Sequence, residues 1–167
     1  MVVFRNNLIC ILGALLLLYT AHAYTPAKPA GLKCEYLVNP IGIDAAQPRF
    51  SWRLMDERTG ARQTAFQIYV STYSADMKKG MVWQSAKMNG PASLIIYAGK
   101  ALQPFTRYFW RVDIWDKDGI KSGSSIGSFE MGMMDKRNWK GAWICDVNDV
   151  TVKPAGQFRK VFEAAKR

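Results

Sequence analysis

With 167 residues, 49% of them hydrophobic and 22% charged, the chain has room for one domain of ordinary size and part of another. Three cysteines and a single histidine exclude a disulfide-dense scaffold and a zinc centre built on several imidazoles. The formal charge of +10 invites a polyanionic partner, but the cations stand singly or in pairs, as at Arg58, Arg62, Lys78-Lys79, Lys100, Arg107 and Arg111. No run of five or more tracks phosphates, so no nucleic-acid partner is expected. A solvated basic surface is the reading preferred, with attraction to acidic polysaccharide or the cell envelope left open.

Residues 1–23 read as a signal peptide. Arg5 supplies a short charged start, Leu8 to Tyr19 an apolar core, and Ala21-His22-Ala23 a small-residue cleavage site. That core is shorter than the roughly 20 residues needed to span a bilayer, and no second apolar stretch follows. No stable membrane insertion is expected. Cys10 lacks the small-residue box that precedes a lipidated cysteine, so the product is expected to be cleaved and exported to periplasm, cell surface or medium. Cleavage leaves 144 residues (167 − 23) and a charge of +9 (10 less Arg5). His22 departs with the leader, which excludes histidine-dependent serine or cysteine triads. Cys34 and Cys145 remain, and whether they pair stays open.

Residues 24–31, rich in proline and alanine, read as a flexible lead-in. From Leu32 onward, short β-branched and aromatic runs alternate with turn residues, and the class is all-β. Strands are predicted at Lys33 to Val38, Arg49 to Met55, Thr64 to Tyr73, Val82 to Ser85, Ser93 to Tyr97, Arg107 to Trp115 and Ser125 to Met131. Alternation assigns Phe50, Trp52 and Leu54, then Phe66, Ile68 and Val70, then Tyr108, Trp110, Val112 and Ile114 to buried faces. Seven strands so striped predict a two-sheet sandwich over residues 32–133. A linker follows at 134–156, and Phe158 to Phe162, within 157–167, reads as the first strand of a further, truncated β domain. The outward face of the sixth strand carries Arg107, Phe109, Arg111, Asp113 and Trp115. Cross-strand pairing of arginine stems with aromatics is the preferred account of it; packing on a neighbouring domain is the other.

Leu102, Pro104, Thr106 and Tyr108 resemble the tyrosine-corner entry of fibronectin type III domains, with Trp52 in the place of the core tryptophan. More specifically, Leu32 to Leu37, Asn39 to Asp44, Pro48 to Trp52 and Gln63 to Ile68 are similar to the start of bacterial α-L-rhamnosidases of glycoside hydrolase family 78. Tyr108 to Val112, Trp115-Asp116, Phe129 to Gly132 and Trp139 to Ile144 continue the likeness in order. The resemblance implies a non-catalytic, immunoglobulin-like module that precedes further β domains and an (α/α)6 barrel. That barrel would hold the carboxylates that remove terminal α-L-rhamnose with inversion. The implied partners are the following domains of the same polypeptide and, through the parent enzyme, rhamnose-containing glycans.

An inverting pair of carboxyls stands about 6.5–9.5 Å apart. The carboxylates available here are Asp44, Asp56, Glu57, Asp113, Asp116, Asp118 and Glu130. Asp116 and Asp118 flank a turn at Gly119 and are expected to bond their own backbone; Asp113 is expected to be an ion-pair partner. Asp116-Lys117-Asp118-Gly119 opens like a calcium loop but lacks the third ligand and the distal glutamate. No catalytic, cofactor-binding or metal-binding residue is assigned, and no cofactor is expected. A carbohydrate-binding module, built on Tyr69, Trp83, Tyr97, Trp115 or Trp139 as a flat platform, and an adhesive fibronectin-type module are the alternative functions.

Overall fold

The computed structural model describes residues 26–142 and 159–163. The apolar stripes close two sheets over one core. The smaller sheet orders β1 (Lys28–Cys34), β2 (Arg49–Met55) and β6 (Leu94–Ile96) as β1-β2-β6. The larger sheet is centred on β3 (Ala65–Ser71) and β7 (Arg107–Trp115), which pair antiparallel from Ala65 opposite Trp115 to Ser71 opposite Phe109. On the outer side of β3 lie β4 (Met81–Gln84) and β5 (Met88–Asn89). On the outer side of β7 lie β8 (Lys121–Gly123) and β9 (Gly127–Glu130). Nine segments thus occupy seven strand positions, three facing four, as the predicted sandwich requires.

The core is aromatic because Phe and Trp bury the most apolar area per ordered side chain. Phe50 of β2 packs 4.6 Å from the Trp110 ring of β7 and 5.4 Å from Phe129 of β9, so one residue of the small sheet grips two strands of the large one. Trp52 lies 5.2 Å from Phe66 and donates its indole N–H to Gln63 Oε1 at 2.9 Å. Gln63 in turn donates to the carbonyl of Ala92 at 2.7 Å. A buried tryptophan needs an acceptor for its N–H, and here one buried glutamine provides it while tying down the approach to β6. Tyr108 is buried and its hydroxyl accepts from the Gln103 amide at 2.9 Å, closing the corner that the sequence predicts.

Two strand positions are interrupted, and both interruptions are managed by serine. Between β4 and β5, Ser85 Oγ accepts from the Ile68 amide at 2.9 Å while the Ser85 amide donates to the Ile68 carbonyl at 2.9 Å. Between β8 and β9, Ser124 Oγ accepts from the Val112 amide at 3.0 Å and the Ser124 amide donates to the Val112 carbonyl at 2.8 Å. Ile68 and Val112 face each other in the β3–β7 register. The two breaks therefore lie on one row across the sheet, and each hydroxyl replaces a missing ladder carbonyl.

Three expectations change. Residues 24–31 are not all lead-in: β1 begins at Lys28, and Pro29 is buried opposite Leu54. The proline is tolerated because β1 is an edge strand that can leave one N–H out of the ladder. The first predicted strand ends at Cys34, not Val38, because Glu35 and Tyr36 both take positive φ and fold back to a Cys34–Leu37 bridge. Of the strand expected at Phe158 to Phe162, the described residues 159–162 form none. Val161 and Phe162 are 77% and 80% exposed, and a strand exists only through the ladder it shares.

The chain divides into two compact units, Met1–Met134 and Asp135–Arg167. The second contains a 3-10 turn, Lys136–Asn138, capped by the Asp135 carboxylate, which accepts from the Arg137 amide.

Replacing the bridging serines separates their contributions. Ser85→Ala strands the Ile68 amide beneath a buried side chain and should cost about 2 kcal/mol in urea unfolding, while Ser124→Ala, at a half-buried serine, should cost about 1 kcal/mol or less. Equal costs would refute this account of the two breaks.

Candidate functional site

At one end of the sandwich three carboxylates converge on Arg58. Its guanidinium lies 2.6 Å from Asp56 Oδ1, 2.7 Å from Asp116 Oδ2 and 2.6 Å from Asp118 Oδ2. Asp116 is 1% exposed, and its other oxygen accepts from the amides of Asp118 and Ile120, both at 2.9 Å. The Asp116–Gly119 turn is thus closed on its own backbone, as the sequence suggests, but the arginine arriving from the β2–β3 connection is not visible in the sequence pattern. A guanidinium occupies the point on which the carboxylates converge. Among the described residues no group of three or more His, Cys, Asp or Glu is arranged to hold a metal ion.

Burial opposes ionisation of Asp116, but the Ile120 amide, the Arg58 guanidinium and the Asp118 amide together outweigh it and hold its pKa below the ordinary carboxylate value. Glu35 is also held low, chiefly by the Arg49 side chain, which lies 2.6 Å away. Burial, with the Glu35 charge adding to it, pushes the Cys34 thiol up to about 12. Cys34 is a buried free thiol, and Cys145 lies outside the described residues.

The remaining candidates are placed as follows. Asp113, 3% exposed, pairs with Lys121 at 2.8 Å and stands 3.8 Å from Arg111. Glu130 pairs with Arg107 at 2.9 Å. Asp44 accepts from the Met134 amide at 2.8 Å, and Glu57 is exposed. Among the aromatics proposed for a stacking platform, Tyr97 is a core residue, its hydroxyl donating to the Lys100 carbonyl, and Trp83 meets it edge-on at 5.1 Å. Tyr69 lies beneath Arg111 at 4.9 Å, and Trp115 beneath Lys87 at 4.1 Å and Lys121 at 5.3 Å. Trp139 is exposed in the second unit. The outward face of β7 is therefore a cross-strand array of cations over rings, the account preferred from sequence, and those rings are already covered.

The open side of the sandwich is different in character. Between the free edge of β6 and the β4–β5 edge runs an apolar cleft of about 620 Å³, lined by Trp83, Met88, Leu94, Ile95 and Ile96. Met88, Leu94 and Ile96 are 38%, 45% and 53% exposed. Unpaired apolar edges are sites of association.

Residues 29–135 match the family model described as Rha78A-like, N-terminal immunoglobulin domain. An α-L-rhamnosidase of Streptomyces avermitilis is 40% identical over 123 residues, covering 72% of this chain and 12% of that protein. One from Formosa agariphila is 39% identical over 116 residues, covering 66% and 12%. Among solved structures, the Streptomyces avermitilis α-L-rhamnosidase complexed with L-rhamnose superposes with a TM-score of 0.66 at 37% identity, covering 69% of this chain and 11% of that one. The α-L-rhamnosidase from Dictyoglumus thermophilum gives 0.64 at 38%, covering 67% and 13%. The chain spans about an eighth of the length of the curated relatives it matches.

Removing the guanidinium leaves a buried Asp116 charge short of its counter-ion, so Arg58→Ala should destabilise the domain by about 3 kcal/mol in chemical unfolding. A change below about 0.5 kcal/mol would mean that the backbone amides alone carry Asp116. The pH profile should fall at both ends. Asp116 and Glu35 have lowered folded pKa values, so their contribution is complete above about pH 4 and is lost as pH falls from there. The Cys34 thiol has a raised one, so stability is lost as pH rises above about 9, by about 1.4 kcal/mol per pH unit; Cys34→Ala should flatten that alkaline limb in thermal melts.

Proposed function

The chain belongs to the family of Rha78A-like N-terminal immunoglobulin domains, and on that premise we propose that it is a non-catalytic module of an exported α-L-rhamnosidase. The observation that carries this reading is 40% identity to an α-L-rhamnosidase confined to about an eighth of that protein's length. Hydrolysis of a glycoside by inversion needs two carboxyls facing a sugar across a water. Six of the seven carboxylates weighed for that role are engaged by arginine, lysine or backbone amides, which suits a scaffold and leaves the acid and the base to a catalytic barrel elsewhere in the parent polypeptide. The module's task is then mechanical. The apolar edge formed by Met88, Leu94 and Ile96 is the face we assign to packing against the following domains, where it would be removed from water.

Export is proposed from the leader at residues 1–23; among the described residues no helix is long and apolar enough to cross a membrane. Neither a cofactor nor a metal is needed for this role.

The test is to express the complete reading frame and the 167-residue chain side by side and assay both on an aryl α-L-rhamnoside. Only the longer product should release the aglycone, and the exported form should begin at Tyr24 by mass spectrometry. Hydrolysis by the short chain, or an inert long product, would end the proposal.

A further inference from the structure

The outer face of the small sheet carries a concave site of about 350 Å³, lined by Gly31, Lys33, Tyr36, Ser51 and Arg53, a volume within the roughly 300–1,000 Å³ of small-ligand sites. Its cations are brought together by register. Lys33 is the direct cross-strand partner of Ser51, and Arg53 follows two residues along β2 on the same face. Lys33 and Arg53 are both exposed and make no ion pair among the described residues. The nearby carboxylate, Glu35, is taken by Arg49, whose Nη2 and Nε contact both its oxygens. Like charges on neighbouring strands repel, and an anion seated between them would relieve that repulsion.

Two backbone features shape the site. A bulge between Ala30 and Lys33 places Gly31 at φ +61, and the Arg53 guanidinium lies against its bare backbone: a Cβ there would stand 3.0 Å from Arg53 Nε. Beside it, Glu35 and Tyr36 adopt φ +48 and +65 in a two-residue turn closed by both Cys34–Leu37 hydrogen bonds of 2.9 Å. Positive φ at both positions is the type I′ arrangement, which favours Asn-Gly. Glutamate and tyrosine are strained there, and such strain persists where the surroundings hold it. Here Arg49 does so: it grips Glu35, donates to the Tyr36 hydroxyl at 3.2 Å and stacks 4.7 Å from the ring centre. The outcome is a tyrosine, 55% exposed, standing as an aromatic wall beside two uncompensated cations and a serine hydroxyl.

We propose that this site binds an acidic saccharide, its carboxylate or sulfate held by Lys33 and Arg53, a hydroxyl meeting Ser51, and the Tyr36 ring, one face of which Arg49 covers, walling its side. The choice of a saccharide over another anion rests on the glycosidase reading above; the anion preference rests on the site alone.

The experiment is calorimetric titration of the 167-residue chain with a galacturonate trisaccharide, a sulfated trisaccharide, a neutral trisaccharide and sodium sulfate. Binding is expected in one of the two acidic arms, which identifies the acid, with at least tenfold weaker binding of the neutral sugar and of sulfate. Lys33→Gln and Arg53→Gln, both at exposed positions, should each weaken it about tenfold, while Lys78→Gln on the β3–β4 connection should not. Tyr36→Gly relieves the strained turn and removes the wall, so it should raise Tm and lower affinity together. Equal affinity for the neutral sugar or for sulfate, no binding in either acidic arm, or equal loss in Lys78→Gln would overturn the proposal. So would a Tyr36→Gly chain that loses stability and keeps its affinity. Rhamnoside hydrolysis by the complete polypeptide is scored separately, so each reading can fail without the other.

Discussion

The antiparallel pairing of β3 with β7 is the contact on which the other strands depend. It aligns Phe66, Ile68 and Val70 with Ile114, Val112 and Trp110 and so lays down a continuous apolar floor. Neither strand could hold that floor alone, because an isolated two-stranded ribbon is marginal in water. The small sheet completes it: Phe50 and Trp52 descend onto that surface and meet Trp110, Phe129 and Phe66. Large-to-small changes in such a core cost several kcal/mol.

The same pairing constrains the edges. Because Ile68 and Val112 are opposite one another, their outward-pointing amides and carbonyls leave the sheet on one row, and the flanking chain must answer both. It does so with a serine on each side. The hydroxyl accepts where the next strand residue's carbonyl would have, so the edge can bend without leaving a buried amide unpaired. Short, interrupted edges of this kind also resist pairing with other chains. The exception is the apolar edge formed by β6 and β4–β5, which has no charged residue among Leu94–Ile96 or Met81–Gln84.

Charge is organised by the same frame in three distinct ways. Arg58 neutralises carboxylates brought from two connections and fastens the β7–β8 turn to the end of β2. On the outer face of the large sheet, cations cover rings and Asp113 holds Lys121. On the outer face of the small sheet, Lys33 and Arg53 make no ion pair among the described residues, next to a tyrosine held in an unfavourable backbone conformation. The first two arrangements consume their charges internally; the third leaves them for something outside the domain.

The class, two strands to the residue (Arg49–Met55 and Arg107–Trp115), the buried stripes and the tyrosine corner are legible without coordinates, because each is written in local alternation or short spacing. The sequence also carried the family, since motifs in order along one chain need no coordinates. It misplaced β1 because proline and alanine read as a linker, and only pairing with β2 reveals that an edge strand tolerates them. It missed β5 and β8, two and three residues long, because their signal lies in their partners on β3 and β7. The Arg58 cluster, the serine row and the basic pocket join residues as much as 60 positions apart, and the contacts that hold Glu35 and Tyr36 at positive φ come from Arg49 of the next strand. Tertiary structure alone decided these, because long-range hydrogen bonds and charge contacts leave no periodicity for a sequence to display.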